Sequence, residues 1–170
     1  PQEFTRLFID CTILCTTAQV LGSHADPLLT FLINNPTEWQ HLIYDNDDLY
    51  LLIKTFSKHT ADIVGQILAN PEELTYLFKD INDFCKTASI LQQQSNTYET
   101  FSSQLQRGGK IIIQRKGSKN IKPVQPAENL LHYLLKSPQE YKRLVGCTES
   151  QEKLCALFPK EQSQILDMEL

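Results

Sequence analysis

The stretch Pro36-Thr37-Glu38-Trp39-Gln40-His41-Leu42-Ile43 decides the fold, because it returns 35 residues later as Pro71-Glu72-Glu73-Leu74-Thr75-Tyr76-Leu77-Phe78. It also stands 35 residues earlier, as Pro1-Gln2-Glu3-Phe4-Thr5-Arg6-Leu7-Phe8, and near the C-terminus as Pro138-Gln139-Glu140-Tyr141-Lys142-Arg143-Leu144-Val145. The shared pattern is Pro-x-Glu-apolar-x-x-Leu-apolar. Proline fits the first helical position, where a missing N–H removes no hydrogen bond. Asn35, Asn70 and Ser137 precede three of the prolines and are expected N-caps, with the Glu at N3 completing a capping box. The apolar residue after Glu and the Leu-apolar pair beyond it fall on one helical face. Each copy therefore predicts the start of a short amphipathic helix.

The flanking residues keep the same period. Leu14, Leu49, Phe84 and Gln151 stand 13 places after the prolines, Ala18, Ile53, Ala88 and Cys155 stand 17 after, and Leu21, Phe56, Leu91 and Phe158 stand 20 after. These offsets trace the buried face of a second helix, with Asp48 or Asp83 as its expected cap. A third helix carries Leu28, Phe31 and Leu32, then Ile63, Ile67 and Leu68, then Leu131, Leu134 and Leu135, each set ending at an Asn-Pro or Ser-Pro boundary. The expected fold is all-α: a solenoid of short-helix repeats of about 35 residues, present about four and a half times. Phe158-Pro159-Lys160 followed by Ile165 reads as the opening of a further unit, so the chain is expected to be a fragment of a longer repeat protein.

The repeat breaks once. Pro71 and Pro138 are 67 residues apart, and the intervening stretch reads as a degenerate unit. It holds Gly108-Gly109, the triplet Ile111-Ile112-Ile113 and six basic residues, Arg107, Lys110, Arg115, Lys116, Lys119 and Lys122, with no acid between Glu99 and Glu128. The formal net charge is −4; without those six residues, 10 basic face 20 acidic ones, a net −10. The division is helical repeats over 1–106, a basic Gly/Lys-rich loop or small hairpin insertion over 107–126, and a helical repeat with the start of a further unit over 127–170. The six basic residues are the candidate partner-binding site, expected to meet a protein with an acidic surface.

No catalytic constellation, metal site or cofactor motif stands out. Gly108-Gly109-Lys110 lacks the spacing of a phosphate loop. His24 and His59 are 35 apart and read as turn residues that repeat because the turn repeats. Trp39 has Phe4, Leu74 and Tyr141 as its equivalents, which marks it as core. The five cysteines, Cys11, Cys15, Cys85, Cys147 and Cys155, are odd in number and point to a reducing, cytosolic environment. No apolar run approaches the roughly 20 residues of a membrane span. The acidic balance disfavours the alternatives, RNA or an anionic lipid surface.

The segment from Phe56 to Leu74, FSKHTADIVGQILANPEEL, resembles the degenerate helical repeats of secreted effectors from intracellular bacterial pathogens. The likeness rests on its Phe-x-x-His turn and Asn-Pro-x-Glu helix start, and it covers most of 1–92 and 130–170. It implies a partner-binding module of a larger effector acting in the host cytoplasm, with no catalytic residues of its own. The ankyrin Thr-Pro-Leu-His signature is missing, so the units are of ankyrin length without the ankyrin motif.

Overall fold

A computed structural model describes the backbone of residues 2–108 and 125–168, and the side chains of 3–94 and 125–168. The described residues form helices and no strand. In chain order these are α1 (Gln2–Leu7), α2 (Cys11–Leu21), α3 (Asp26–Ile33), α4 (Pro36–Leu42), α5 (Asn46–Thr55), α6 (Thr60–Ala69), α7 (Glu73–Leu77), α8 (Ile81–Gly108), α9 (Pro126–Lys136), α10 (Pro138–Val145), α11 (Thr148–Leu157) and α12 (Gln162–Leu166). Short 3-10 turns at Gly22–His24 and Ser57–His59 lead into α3 and α6.

The helices lie in rows. In one row α2 packs on α5, α5 on α8 and α8 on α11; in a second α3 packs on α6 and α6 on α9. Between and beneath them runs one apolar core from Phe8 to Ile165. Its members recur at the positions the sequence marks: Leu14, Leu49 and Phe84 from the first row, Leu32, Ile67 and Leu134 from the second, Trp39, Leu74 and Tyr141 from the helices that open on the prolines. Burial on this scale, at about 25 cal/mol per Å² of apolar surface, outweighs the low intrinsic stability of helices that, α8 apart, are only 5 to 11 residues long.

The caps differ from the expectation in an instructive way. Asp10, Asp45 and Asp80, themselves 35 residues apart, are the N-caps of α2, α5 and α8: their carboxylates accept from the backbone N–H of Ile13, of Asp47 and Asp48, and of Asn82 and Asp83. Asp48 and Asp83 are not the caps. They sit one turn in and reach back to the N–H of Tyr44 and Lys79, at 3.0 Å each, which closes a reciprocal box. In α11 the capping place is held by Cys147, which makes no side-chain cap bond.

Asn35 and Asn70 do not cap forward either. Their amides donate to the carbonyls of Phe31 and Gln66, at 2.7 and 2.9 Å, and so close the helices that end there, α3 and α6. The cause is the following proline, which forces these residues out of the helical region, to φ/ψ of −127°/86° and −125°/76°. Pro36 and Pro138 occupy the first turns of α4 and α10 as expected. Pro71 precedes a tighter start, in which Glu73 and Leu74 bond back three residues to Asn70 and Pro71 before α7 begins.

Between Pro71 and Pro138 the described helices are α7, α8 and α9. α9 packs on α8 and on α6, and α10 follows directly against α9. The last described helix, α12, packs on α11, with Ile165 buried.

Candidate binding surfaces

Three features of the described residues have enough structure to be functional. The first is a ladder of polar links between neighbouring helix sets. Cys11 Sγ donates to the carbonyl of Asp48 at 3.4 Å, and the Asn46 amide donates to the carbonyl of Asp83 at 3.2 Å; both links span 37 residues. The Asn46 amide also donates to the Thr87 hydroxyl at 2.8 Å. Thr5 donates its hydroxyl to the Glu38 carboxylate at 2.7 Å, and Arg143 binds Glu140 while its guanidinium donates to the carbonyls of Phe78 and Leu74. On the exposed side of the first row, Lys86 pairs with Asp47 and covers the Tyr50 ring, and Lys153 reaches Asn82. Exposed pairs of this kind each contribute little, typically below about 1 kcal/mol. Their value here is that they fix the register of the rows.

The second is a cleft of about 320 Å³ at the turns joining the rows, lined by Ala18, Gly22, Ser23, Thr55, Phe56 and His59. Gly22 ends α2 at a φ of 56°, a conformation that favours glycine. His59 Nε2 lies 3.2 Å from Asp26 and Nδ1 lies 3.3 Å from Asp62, so the histidine bridges consecutive sets through the turn. Three residues after His24, where Asp62 follows His59, stands Pro27, so the two turns are not alike. Among the described residues no group of His, Cys, Asp and Glu is arranged to hold a metal ion. Ser23, Ser57 and His59 line the cleft, and Asp26 and Asp62 flank the imidazole.

The third is internal. Glu73 is buried, and neither of its carboxyl oxygens has a hydrogen-bond partner; the same holds for Trp39 Nε1 and Tyr76 Oη. Burial pushes the Glu73 carboxyl up to about 7, against the pull of the nearby Trp39 indole, which faces it without meeting hydrogen-bond geometry. Burial also pushes the Tyr76 hydroxyl up to about 12. Glu73 occupies the place where Glu38 accepts from Thr5 and Glu140 binds Arg143, and of these three buried or half-buried carboxylates it is the one without a donor.

The cysteines divide by environment. Cys11 and Cys15 are buried with sulfurs 3.8 Å apart, and that mutual contact raises the Cys11 pKa and lowers that of Cys15. Cys147 is exposed, and hydrogen bonds from Ser150 lower its pKa.

Of the predicted site residues, Arg107 lies in the last turn of α8, and its side chain is outside the described residues, as are Lys110, Arg115, Lys116, Lys119 and Lys122 in their entirety. The small hairpin expected for 107–126 falls largely on that same stretch. A further cleft of about 320 Å³ is formed by Gln92, Glu128, Phe158 and Lys160, between α8, the start of α9 and the end of α11. No described helix is long and apolar enough to cross a membrane. The sequence missed the N-cap row Asp10, Asp45 and Asp80, although its 35-residue spacing was there to be read.

No protein-family model, curated protein or solved structure matches this chain.

Proposed function

We propose that this chain is an α-solenoid of four three-helix units that serves as a scaffold for binding a protein partner, through the basic segment 107–122 and the adjoining helical face. The observation that carries the reading is the position of that segment. Five of its six positive charges stand in the sequence between α8 and α9, and the sixth, Arg107, in the last turn of α8, while α9 keeps its packing against α6 and α8. A chain that holds a rigid stack on both sides of a basic excursion has the usual organisation of a binding loop on a scaffold. The acidic remainder, formally −10, supports a protein partner with an acidic patch over RNA, because a phosphate backbone would meet repulsion everywhere else. The likeness to effector repeats supports a partner met in the cytoplasm of a host cell.

The test uses purified protein. Candidate partners captured on the immobilised chain are produced separately and titrated against the parent and against the Lys110→Glu/Arg115→Glu/Lys116→Glu variant. Saturable binding that the variant weakens at least tenfold supports the reading. Binding only to single-stranded RNA, or only to phosphatidylserine vesicles, in parallel titrations supports the corresponding alternative and overturns it.

A further inference from the structure

We infer that the outer face of α1 and α2 is a docking surface for a further three-helix unit of the same register, one that presents an asparagine at the place Asn46 holds in its own set. The inference rests on the repeat reading proposed above and extends it to a surface with nothing on it.

The evidence is the contrast between equivalent positions. Leu7 is 68% exposed, whereas Leu42, Leu77 and Leu144, at the same place after their prolines, are 1%, 0% and 5% exposed. Leu21 is 41% exposed, where Phe56, Leu91 and Phe158 are 4%, 0% and 2%. Ile13 and Val20 on the same face are also large, apolar and exposed. In the three later sets the unit before covers this face; in the first it is open. An apolar patch of this kind on a water-soluble surface marks an interaction site.

The polar groups on the face say what the occupant is. Asn46 bonds the carbonyl of Asp83 and the hydroxyl of Thr87. Seventy residues earlier, at the matching places, stand Ile13 and Thr17. The first set thus holds the same threonine and the same backbone carbonyl as the third, in position to receive an Asn46-like amide. Glu3 is likewise exposed where Glu38 is buried and takes the Thr5 hydroxyl.

The opposite end of the stack does not fit this face, which argues against a second copy as occupant. There the donor places corresponding to Thr5 and Asn46 are Lys142 and Thr148, both exposed. The Tyr141 hydroxyl and the Gln151 amide are turned inward onto the carbonyl of Ile165, at 2.9 Å each. With these donors folded inward, this end offers the α1–α2 face no Asn46-like amide.

The experiment places a copy of residues 36–70 directly before Pro1, which recreates the native Asn-Pro junction, and in a second protein duplicates 36–70 in place, between Asn70 and Pro71. The expected result is that the N-terminal extension raises the melting temperature by about 5 °C or more, and slows amide exchange in α1. Leu7→Glu should abolish that gain in the extended protein while leaving the unextended one essentially unchanged. If the internal duplication folds cooperatively but the N-terminal copy neither raises the melting temperature nor protects α1, the docking inference fails and the repeat reading stands. If neither protein folds, the repeat reading fails and takes the inference with it. Self-association of the unextended chain, broken by Leu7→Glu, would make a second copy the occupant and would also overturn it.

Discussion

Lys153 Nζ lies 3.3 Å from Asn82 Oδ1 across 71 residues of sequence, and Lys86 pairs with Asp47 across 39. The difference, 71 less 39, is 32 residues, and it is also the difference between the Pro71-to-Pro138 interval of 67 and the repeat of 35. One polar contact is therefore made twice, once with 32 extra residues inside the loop it closes. The contact is indifferent to them, although they include the second half of α8.

That indifference makes the stacked leucines the determinants of stability. Leu77→Ala is expected to cost on the order of 2–5 kcal/mol, since Leu77 has neighbours on both sides and leaves a cavity that cannot collapse. Leu144→Ala, nearer the end of the array, should cost less, and Leu7→Ala close to nothing because Leu7 is already exposed. Urea unfolding of the three variants checks the order. Similar small losses at all three would show that the equivalence of these positions is mistaken.

Asn46→Ala removes two links between sets and leaves the carbonyl of Asp83 and the hydroxyl of Thr87 without their donor. Loss of a buried, charge-neutral polar partner is worth about 1–3 kcal/mol. The expected outcome is a fall of that size in the free energy of unfolding with no change in helix content by circular dichroism. A neutral result would mean that water replaces the amide without penalty.

Much of this was legible beforehand. The prolines, the Leu-apolar pairs and the offsets of 13, 17 and 20 placed the helices and the core, because a period of 3.6 inside a period of 35 leaves few alternatives. The cap readings failed for a physical reason. Asn-Pro is compatible with capping either neighbour, and only the extended backbone that proline imposes on Asn35 and Asn70 turns their amides backward. In the interval of 67 residues Phe101 and Leu105 keep a helical spacing, and α8 continues through both to Gly108. The unpartnered Glu73 was invisible because its fault lies in a missing neighbour, not in its own position.

Glu73 makes a pH prediction with a definite sign. Its carboxyl is raised in the folded protein from 4.5 to about 7, so between those values the folded state holds a proton that the unfolded state has lost. Its contribution to stability is then fully present below pH 4.5 and is lost as pH rises through about 7. Glu73→Gln keeps the shape, removes the charge and offers the Trp39 indole a neutral acceptor. The melting temperature of the variant should exceed that of the parent at pH 8 and converge with it towards pH 5. A constant difference across this range would show that burial of the charge is not the cause.

Thiol chemistry should follow environment. Cys147, exposed and with its pKa lowered by Ser150, is expected to react first with a maleimide under native conditions, and the buried Cys11, whose pKa is raised, last. Peptide mapping after brief labelling reads the order directly. Early modification of Cys11 would mean that α2 opens readily, which its place in the first row does not allow for.

The basic segment carries the remaining prediction. Arg107, Lys110, Arg115, Lys116, Lys119 and Lys122 bring six positive charges into a chain that is otherwise formally −10. Such charges govern encounter with an oppositely charged partner more than they govern the lifetime of the complex. Screening sets in strongly near an ionic strength of 0.1–0.15 M, where the Debye length is roughly 8–10 Å. Lys110→Glu/Arg115→Glu/Lys116→Glu should therefore slow association with a purified acidic partner and flatten its dependence on salt. The melting temperature should stay nearly the same, because the packing of α9 on α6 and α8 rests on apolar contacts such as Leu131 and Leu134. Stopped-flow association measured at several salt concentrations separates the two effects. An association rate that ignores both salt and the three reversals would take the basic segment out of the interface and leave the helical face of the stack to make it.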